Sequence, residues 1–143
     1  MIEYQNILDK NMLNVLKDIL INIRDKGLSN NNQLYVTFST NHQNVELPNW
    51  LRQKYPEEMT IVIQYEYYDL KIKKNNFSIS LSFNDIKTNL KIDYSSIISF
   101  ADPSANFGLI LQKNKSQKKF KNNLENKKTK KDNVINFSNY KKN

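Results

Sequence analysis

The chain has 143 residues, 38% of them hydrophobic and 25% charged, with a formal net charge of +8, no cysteine, two glycines and one histidine. That length suits one compact domain, and without cysteine there are no disulfides, no thiolate nucleophile and no cysteine zinc site, as suits a reducing compartment. No stretch approaches the roughly 18 apolar residues of a membrane span, and Glu3 and Asp9 stand where a signal peptide is basic and then apolar, so a soluble, unexported protein of the bacterial cytoplasm is expected.

In chain order, residues 3–26 read as a helix. Tyr4, Leu8, Met12, Val15, Leu16, Ile19 and Ile23 recur at intervals of three and four, and Gly27 stands where a left-handed cap would end the pattern. Ile7, Leu13, Leu20 and Ile21 widen the apolar stripe beyond what a single core contact uses. A helix lying deep in a groove would explain that width, and the favoured reading is a helix that packs on its own sheet and also on a partner's helix. The dimer residues on this reading are Leu8, Met12, Val15, Leu16 and Ile19.

After the loop at 29–33, LYVTFST (34–40) alternates Leu34, Val36 and Phe38 with Tyr35, Thr37 and Ser39, as a half-buried strand does. Residues 41–58 hold two of the three prolines and predict a long connection, with a single helical turn from Pro48 to Lys54. From Met59 the chain is rich in strands: MTIVIQYEYYDLKI, FSISLSF, NLKID, SSIISFAD and FGLILQ. Ile61, Val62 and Ile63 run without a break, which predicts a strand covered on both faces. In FSISLSF, Phe77, Ile79, Leu81 and Phe83 face one way and Ser78, Ser80 and Ser82 the other, giving one core face and one small, polar, open face. Five or six short strands behind one helix predict a mainly β fold with an N-terminal helix (α+β), a small bent antiparallel sheet or barrel.

The pattern stops after Gln112. Residues 113–143 hold eleven lysines against Glu125 and Asp132, so the charge of the chain lies there and residues 1–112 are nearly neutral. Residues 113–133 lack periodicity and are expected to be a disordered Lys/Asn-rich linker, of about 25 Å reach as a flexible coil. The last ten residues, 134–143, carry an apolar peptide: Val134, Ile135, Phe137 and Tyr140 ahead of Lys141 and Lys142.

Residues suited to catalysis are scarce. His42 is alone in a loop with no second imidazole or thiol to complete a metal site or dyad, and Gly27 and Gly108 are too far apart for a phosphate loop. Glu57 and Glu58 are adjacent and diverge, as in a polar turn. Tyr65, Tyr67 and Tyr68 are interleaved with Glu66 and Asp69 rather than with basic residues, which favours sheet packing or protein binding over base stacking. A non-enzymatic binding protein without metal or cofactor is expected.

The segments LYVTFSTNHQNVELPNWLRQKYPEEMTIVIQYEYYDL, FSISLSF and FADPSANFGLIL, in that order and followed by the terminal peptide, resemble the alphaproteobacterial form of SspB, the stringent starvation protein B family. The resemblance runs from Leu34 to Leu111. It implies an Sm-like β domain over residues 1–112 that dimerises through its N-terminal helix and binds ssrA-tagged polypeptides in a groove, delivering them to the ClpXP protease. An extended peptide must satisfy its own amides and carbonyls on entry, so a groove floored by strands with small polar side chains suits it. The tag-binding residues implied are Gln64, whose amide both donates and accepts, with Ser78 and Ser80 and apolar walls from Ile61, Val62, Ile63, Ile79 and Leu81. The terminal peptide is similar to the family's ClpX-docking motif, with Val134, Ile135, Phe137, Tyr140, Lys141 and Lys142 as its contacts to the zinc-binding domain of ClpX. The lysine-rich linker, Tyr68 in place of a tryptophan and Ser138 in place of an acid depart from the family pattern. The reading from another class is an Sm-like RNA-binding protein that uses the basic tail.

Overall fold

A computed structural model describes residues 1–29 and 31–111; the linker and terminal peptide expected at 113–143 lie outside the described residues. Helix α1 spans Tyr4–Lys26, and its broad apolar stripe divides in two. Met12, Leu16, Leu20 and Ile23 are buried in the protein's own core, while Tyr4, Ile7, Leu8 and Val15 are exposed and Leu13 and Ile19 lie between. Of the five residues expected at a dimer contact, Met12 and Leu16 therefore point inward, and Leu8 and Val15, with Ile19 at the margin, are left on the outer side. Gly27 ends the helix at φ 75°, a value that strains any side chain, and its N–H donates to the Ile23 carbonyl at 2.8 Å.

Strand β1 (Leu34–Ser39) buries Leu34, Val36 and Phe38 and leaves the alternate residues half-exposed, as its pattern predicts. Helix α2 (Asn49–Lys54) follows, and Arg52 holds the long connection in place by donating to the backbone carbonyls of Thr40 and Val45. Strand β2 (Glu58–Ile63) pairs antiparallel with β1 from Leu34 opposite Ile63 to Ser39 opposite Glu58. The segment read as one long strand, 59–72, is two. Residues 64–67 turn the chain out of the first sheet, and β3 (Tyr68–Ile72) belongs to a second. Four polar or aromatic residues, Gln64 to Tyr67, interrupt the apolar run at the bend, and Asp69 then takes φ 53°, a left-handed value tolerated by Asp.

The second sheet continues with β4 (Asn76–Phe83) and β5 (Ile86–Asp93), joined by Asn84 and Asp85, both at positive φ, as a two-residue hairpin turn requires. The chain then returns to the first sheet as β6 (Ile97–Asp102) and β7 (Phe107–Ile110). All pairs are antiparallel, and the two sheets have orders β2-β1-β6-β7 and β3-β4-β5. The fold is thus an N-terminal helix followed by open antiparallel sheets, of seven strands in place of five or six.

Between helix and sheets the core gathers Phe38, Phe77, Phe100, Leu16, Leu20 and Ile63, each under 2% exposed. Helix α1 packs on β3, where the Tyr67 hydroxyl reaches the Ile23 carbonyl at 3.4 Å, and the Lys17 ammonium lies 4.6 Å above the Tyr94 ring. Replacing Leu16 by Ala removes a fully buried side chain and should cost about 2–5 kcal/mol in urea unfolding. Val15→Ala, one position along at 39% exposure, should cost under about 1 kcal/mol. The reverse ranking would mean that α1 presents its other face to the sheets.

Candidate binding cleft

Strand β2 is an edge of its sheet: β1 covers one side and, among the described residues, no strand pairs with the other. Alternation places Met59, Ile61 and Ile63 in the core, at 4%, 1% and 0% exposure, and turns Glu58, Thr60 and Val62 outward, with Gln64 next in the series. Val62 is half-exposed, so the unbroken apolar run is covered on one face and open on the other. Opposite the free edge stands the end of β4. Together they enclose a cleft of about 470 Å³, with Met59, Ile61, Val62, Leu81 and Phe83 as apolar wall and floor. Tyr55, Thr60, Gln64, Tyr65 and Ser82 add polar groups, and among the described residues Glu66 is the one charged residue of the lining.

The residues facing the cleft from β2 are backed one for one by β1. Thr60 shares a hydroxyl contact of 2.7 Å with Thr37, Val62 lies opposite Tyr35, and the Gln64 Oε1 accepts from Gln33 Nε2 at 2.8 Å. Tyr35 Oη in turn donates to Gln33 Oε1 at 3.4 Å. In strand-addition complexes an open strand edge beside apolar walls pairs with the backbone of an extended chain, and alternate side chains enter the adjoining pockets.

Four of the residues named from the sequence meet here: Ile61, Val62, Gln64 and Leu81. Ile63 and Ile79 do not, being 0% exposed in the core. Ser78 and Ser80 are on the far face of the second sheet, and that face is not open throughout. Ser80 is 4% exposed, flanked by Tyr68 and Asn89, and accepts from Asn89 Nδ2 at 3.0 Å. Thr60 and Phe83 were not named for the groove, and Tyr65 and Glu66, which line it, were read only as part of a cluster for sheet packing or protein binding. Thr60 could have been named, from its place two and four residues before Val62 and Gln64, whereas Phe83 arrives from another sheet.

The family model of stringent starvation protein B matches residues 7–143. The chain belongs to the stringent starvation protein B family. No curated protein matches it. Membership of the SspB family supports a role as an adaptor of the ClpXP protease, a family of protease adaptors rather than enzymes.

Two other places in this SspB-family chain bear on function. The first is a groove of about 480 Å³ between α1 and the β6–β7 turn, lined by Val15, Ile19, Ile23, Leu28 and Phe107, with Asn32 and Asp102 at its rim. It continues from the exposed stripe of α1, since Val15 belongs to both. The second is the neighbourhood of His42, which the sequence reading left alone in a loop and which is half-buried and bonded to Asn44 and Ser95. Its Nδ1 accepts from the Asn44 N–H at 3.1 Å, so a neutral ring carries its proton on Nε2, 2.9 Å from Ser95 Oγ. The Ser95 hydroxyl donates to Asp93 at 2.6 Å. The imidazole therefore faces the serine as a donor, the opposite of a general base, and the trio clasps a loop to the end of β5. Among the described residues no three His, Asp or Glu side chains gather as a metal site, and no helix is long and apolar enough to cross a membrane.

Asp102 holds the rim of the groove. Burial pushes its carboxyl up, but hydrogen bonds from Ser104, from Asn32 at 2.7 Å and from the backbone N–H groups of Gln33 and Ala105 outweigh this and hold it below the usual carboxylate range. A carboxyl lowered in the native state contributes stability in full above about pH 4, and that contribution is lost as the pH falls through the lowered native value. Asp102→Asn should therefore be less stable than the parent at pH 7 and should flatten the acid limb of the stability profile, measured by urea unfolding from pH 7 to 3. Parallel profiles would show that Asp102 is not so held.

Proposed function

We propose that this chain is a non-enzymatic adaptor of the bacterial cytoplasm that binds ssrA-tagged polypeptides in the β2 cleft and hands them to ClpX. The observation that carries the reading is the free edge of β2 above an apolar cleft, with the amide of Gln64 at its mouth. The tag enters as an extended chain. Its backbone pairs along the edge, apolar side chains lie between Val62 and Phe83, and Gln64 bonds a polar group of the peptide. Ile61 and Leu81 form the floor.

On the same reading, the terminal peptide, with Val134, Ile135, Phe137, Tyr140, Lys141 and Lys142, docks on the zinc-binding domain of ClpX. A second copy of the chain covers the outer stripe of α1, from Tyr4, Ile7 and Leu8 to Val15, together with the groove that continues from it. Ile19, half-buried at the groove, sits at the edge of that contact. The apolar character of the exposed stripe supports this, since water-facing Tyr4, Ile7 and Leu8 are each more than half exposed. Two docking peptides on one dimer raise the effective concentration of the second contact.

Gln64→Ala should weaken binding of a fluorescein-labelled ssrA peptide about tenfold in an anisotropy titration; unchanged affinity would place the site elsewhere. Removing residues 132–143 should abolish stimulation of ClpXP on a tagged substrate and leave peptide affinity intact, and equal stimulation by the shortened chain would sink the tethering model. The double substitution Leu8→Asp, Val15→Asp should halve the mass seen by light scattering. Titrating a single-stranded RNA on the same preparation separates the rival: RNA binding that falls steeply with salt and disappears with residues 113–131 would favour the RNA-binding reading.

A further inference from the structure

Gln33 immediately precedes β1 and Gln64 immediately follows β2, and the last register pair, Leu34 opposite Ile63, brings the two amides face to face across the strands. The hydrogen bonds run in one direction. Tyr35 Oη donates to Gln33 Oε1, and Gln33 Nε2 donates to Gln64 Oε1 at 2.8 Å. A glutamine amide has one accepting end and one donating end. With its oxygen turned to Gln33, Gln64 has its NH2 group left, and the side chain makes no other hydrogen bond among the described residues while it lines the cleft.

We propose that Gln33 is a positioning residue that sets the polarity of the cleft: it holds Gln64 as a hydrogen-bond donor, so the ligand group opposite Gln64 is an acceptor. The inference rests on the peptide-binding reading above and narrows it. A peptide carbonyl or the oxygen of an Asn or Asp side chain fits that position, and a peptide N–H or an ammonium group does not. Among the described residues the lining holds no Lys, Arg or His, so the Gln64 amide and the hydroxyls of Tyr55, Thr60, Tyr65 and Ser82 are its side-chain donors. In a half-buried cleft, two acceptors brought face to face lose a hydrogen bond and leave both desolvated, which gives the orientation of a single amide leverage over affinity.

The test exploits side chains of one polarity. In Gln33→Glu the carboxylate only accepts, so Gln64 turns its NH2 toward it and presents Oε1 to the cleft; in Gln33→Lys the ammonium only donates, and Gln64 stays as it is. Titrations of a fluorescein-labelled ssrA peptide at about 0.5 M salt, where the screening length is about 4 Å, keep the new charges from acting on the peptide directly. The expected result is about a tenfold loss for Gln33→Glu and affinity within about twofold of the parent for Gln33→Lys. In a Gln64→Ala background Gln33→Glu should add nothing. Equal effects of the two substitutions, or an undiminished effect of Gln33→Glu without Gln64, would overturn the proposal. A readout without ligand separates it from the function itself: in the free protein, NMR should show the Gln33 side-chain NH2 protected from solvent exchange and that of Gln64 unprotected. Protection of Gln64 instead overturns the assigned polarity even where the peptide binds, and absence of peptide binding with Gln33 protected overturns the adaptor reading and leaves the polarity standing.

Discussion

A strand at the edge of a sheet leaves half of its backbone hydrogen-bonding groups facing outward, and proteins cover or blunt such edges to avoid pairing with stray chains. Here two of the four edges meet another part of the chain. The loop residue Glu46 pairs with Lys91 on the outer side of β5 through two backbone hydrogen bonds of 2.9 and 3.0 Å, and α1 packs on β3. Strand β2 is handled differently: Pro56, Glu57 and Glu58 blunt its start, but from Thr60 to Gln64 the edge borders an apolar cleft. The bend at 64–67 creates that situation, because it sends the next strand to the other sheet rather than alongside β2. The cleft, the position of Gln64 and the approach of β4 all follow from it.

The same economy shapes the helix. With Met12, Leu16, Leu20 and Ile23 spaced along one face, α1 closes the core of a small domain, and a second set of apolar residues, Tyr4, Ile7, Leu8 and Val15, stays exposed among the described residues. Burying the inner face stabilises the fold, at about 25 cal/mol for each Å² of apolar surface removed from water. The outer face carries the same driving force unspent, and the adjoining groove extends it. One helix thus serves packing within the chain and offers a surface beyond it.

Much of the fold was legible in the residues. The period of α1, the stop at Gly27, the alternation of β1 and the turn at Pro48 to Lys54 each depend on neighbours within a few positions, and each is seen in place. The division of 59–72 into β2 and β3 was not legible, because most residues there outside the bend favour a strand and nothing local states which sheet a strand joins. The site was half legible for the same reason. Gln64 stood out as a polar residue closing an apolar run, and Val62, two positions before it, lines the same cleft. Ile63 and Ile79 could not be told from Val62 and Leu81 by type, since an apolar strand residue looks alike whether it faces the core or a cleft.

By itself the sequence determined the helix and most of the strand-forming segments, where the charge of the chain lies, and its resemblance to SspB, because these depend on local spacing, composition and order. Only the tertiary structure decided which face of α1 meets the core, that Ser80 is shielded while Val62 is open, and that Gln33 lies against Gln64. Those outcomes depend on strand register and on which sheet each strand enters. Register joins residues 31 positions apart, a relation set by packing the whole core rather than by any neighbourhood of the chain.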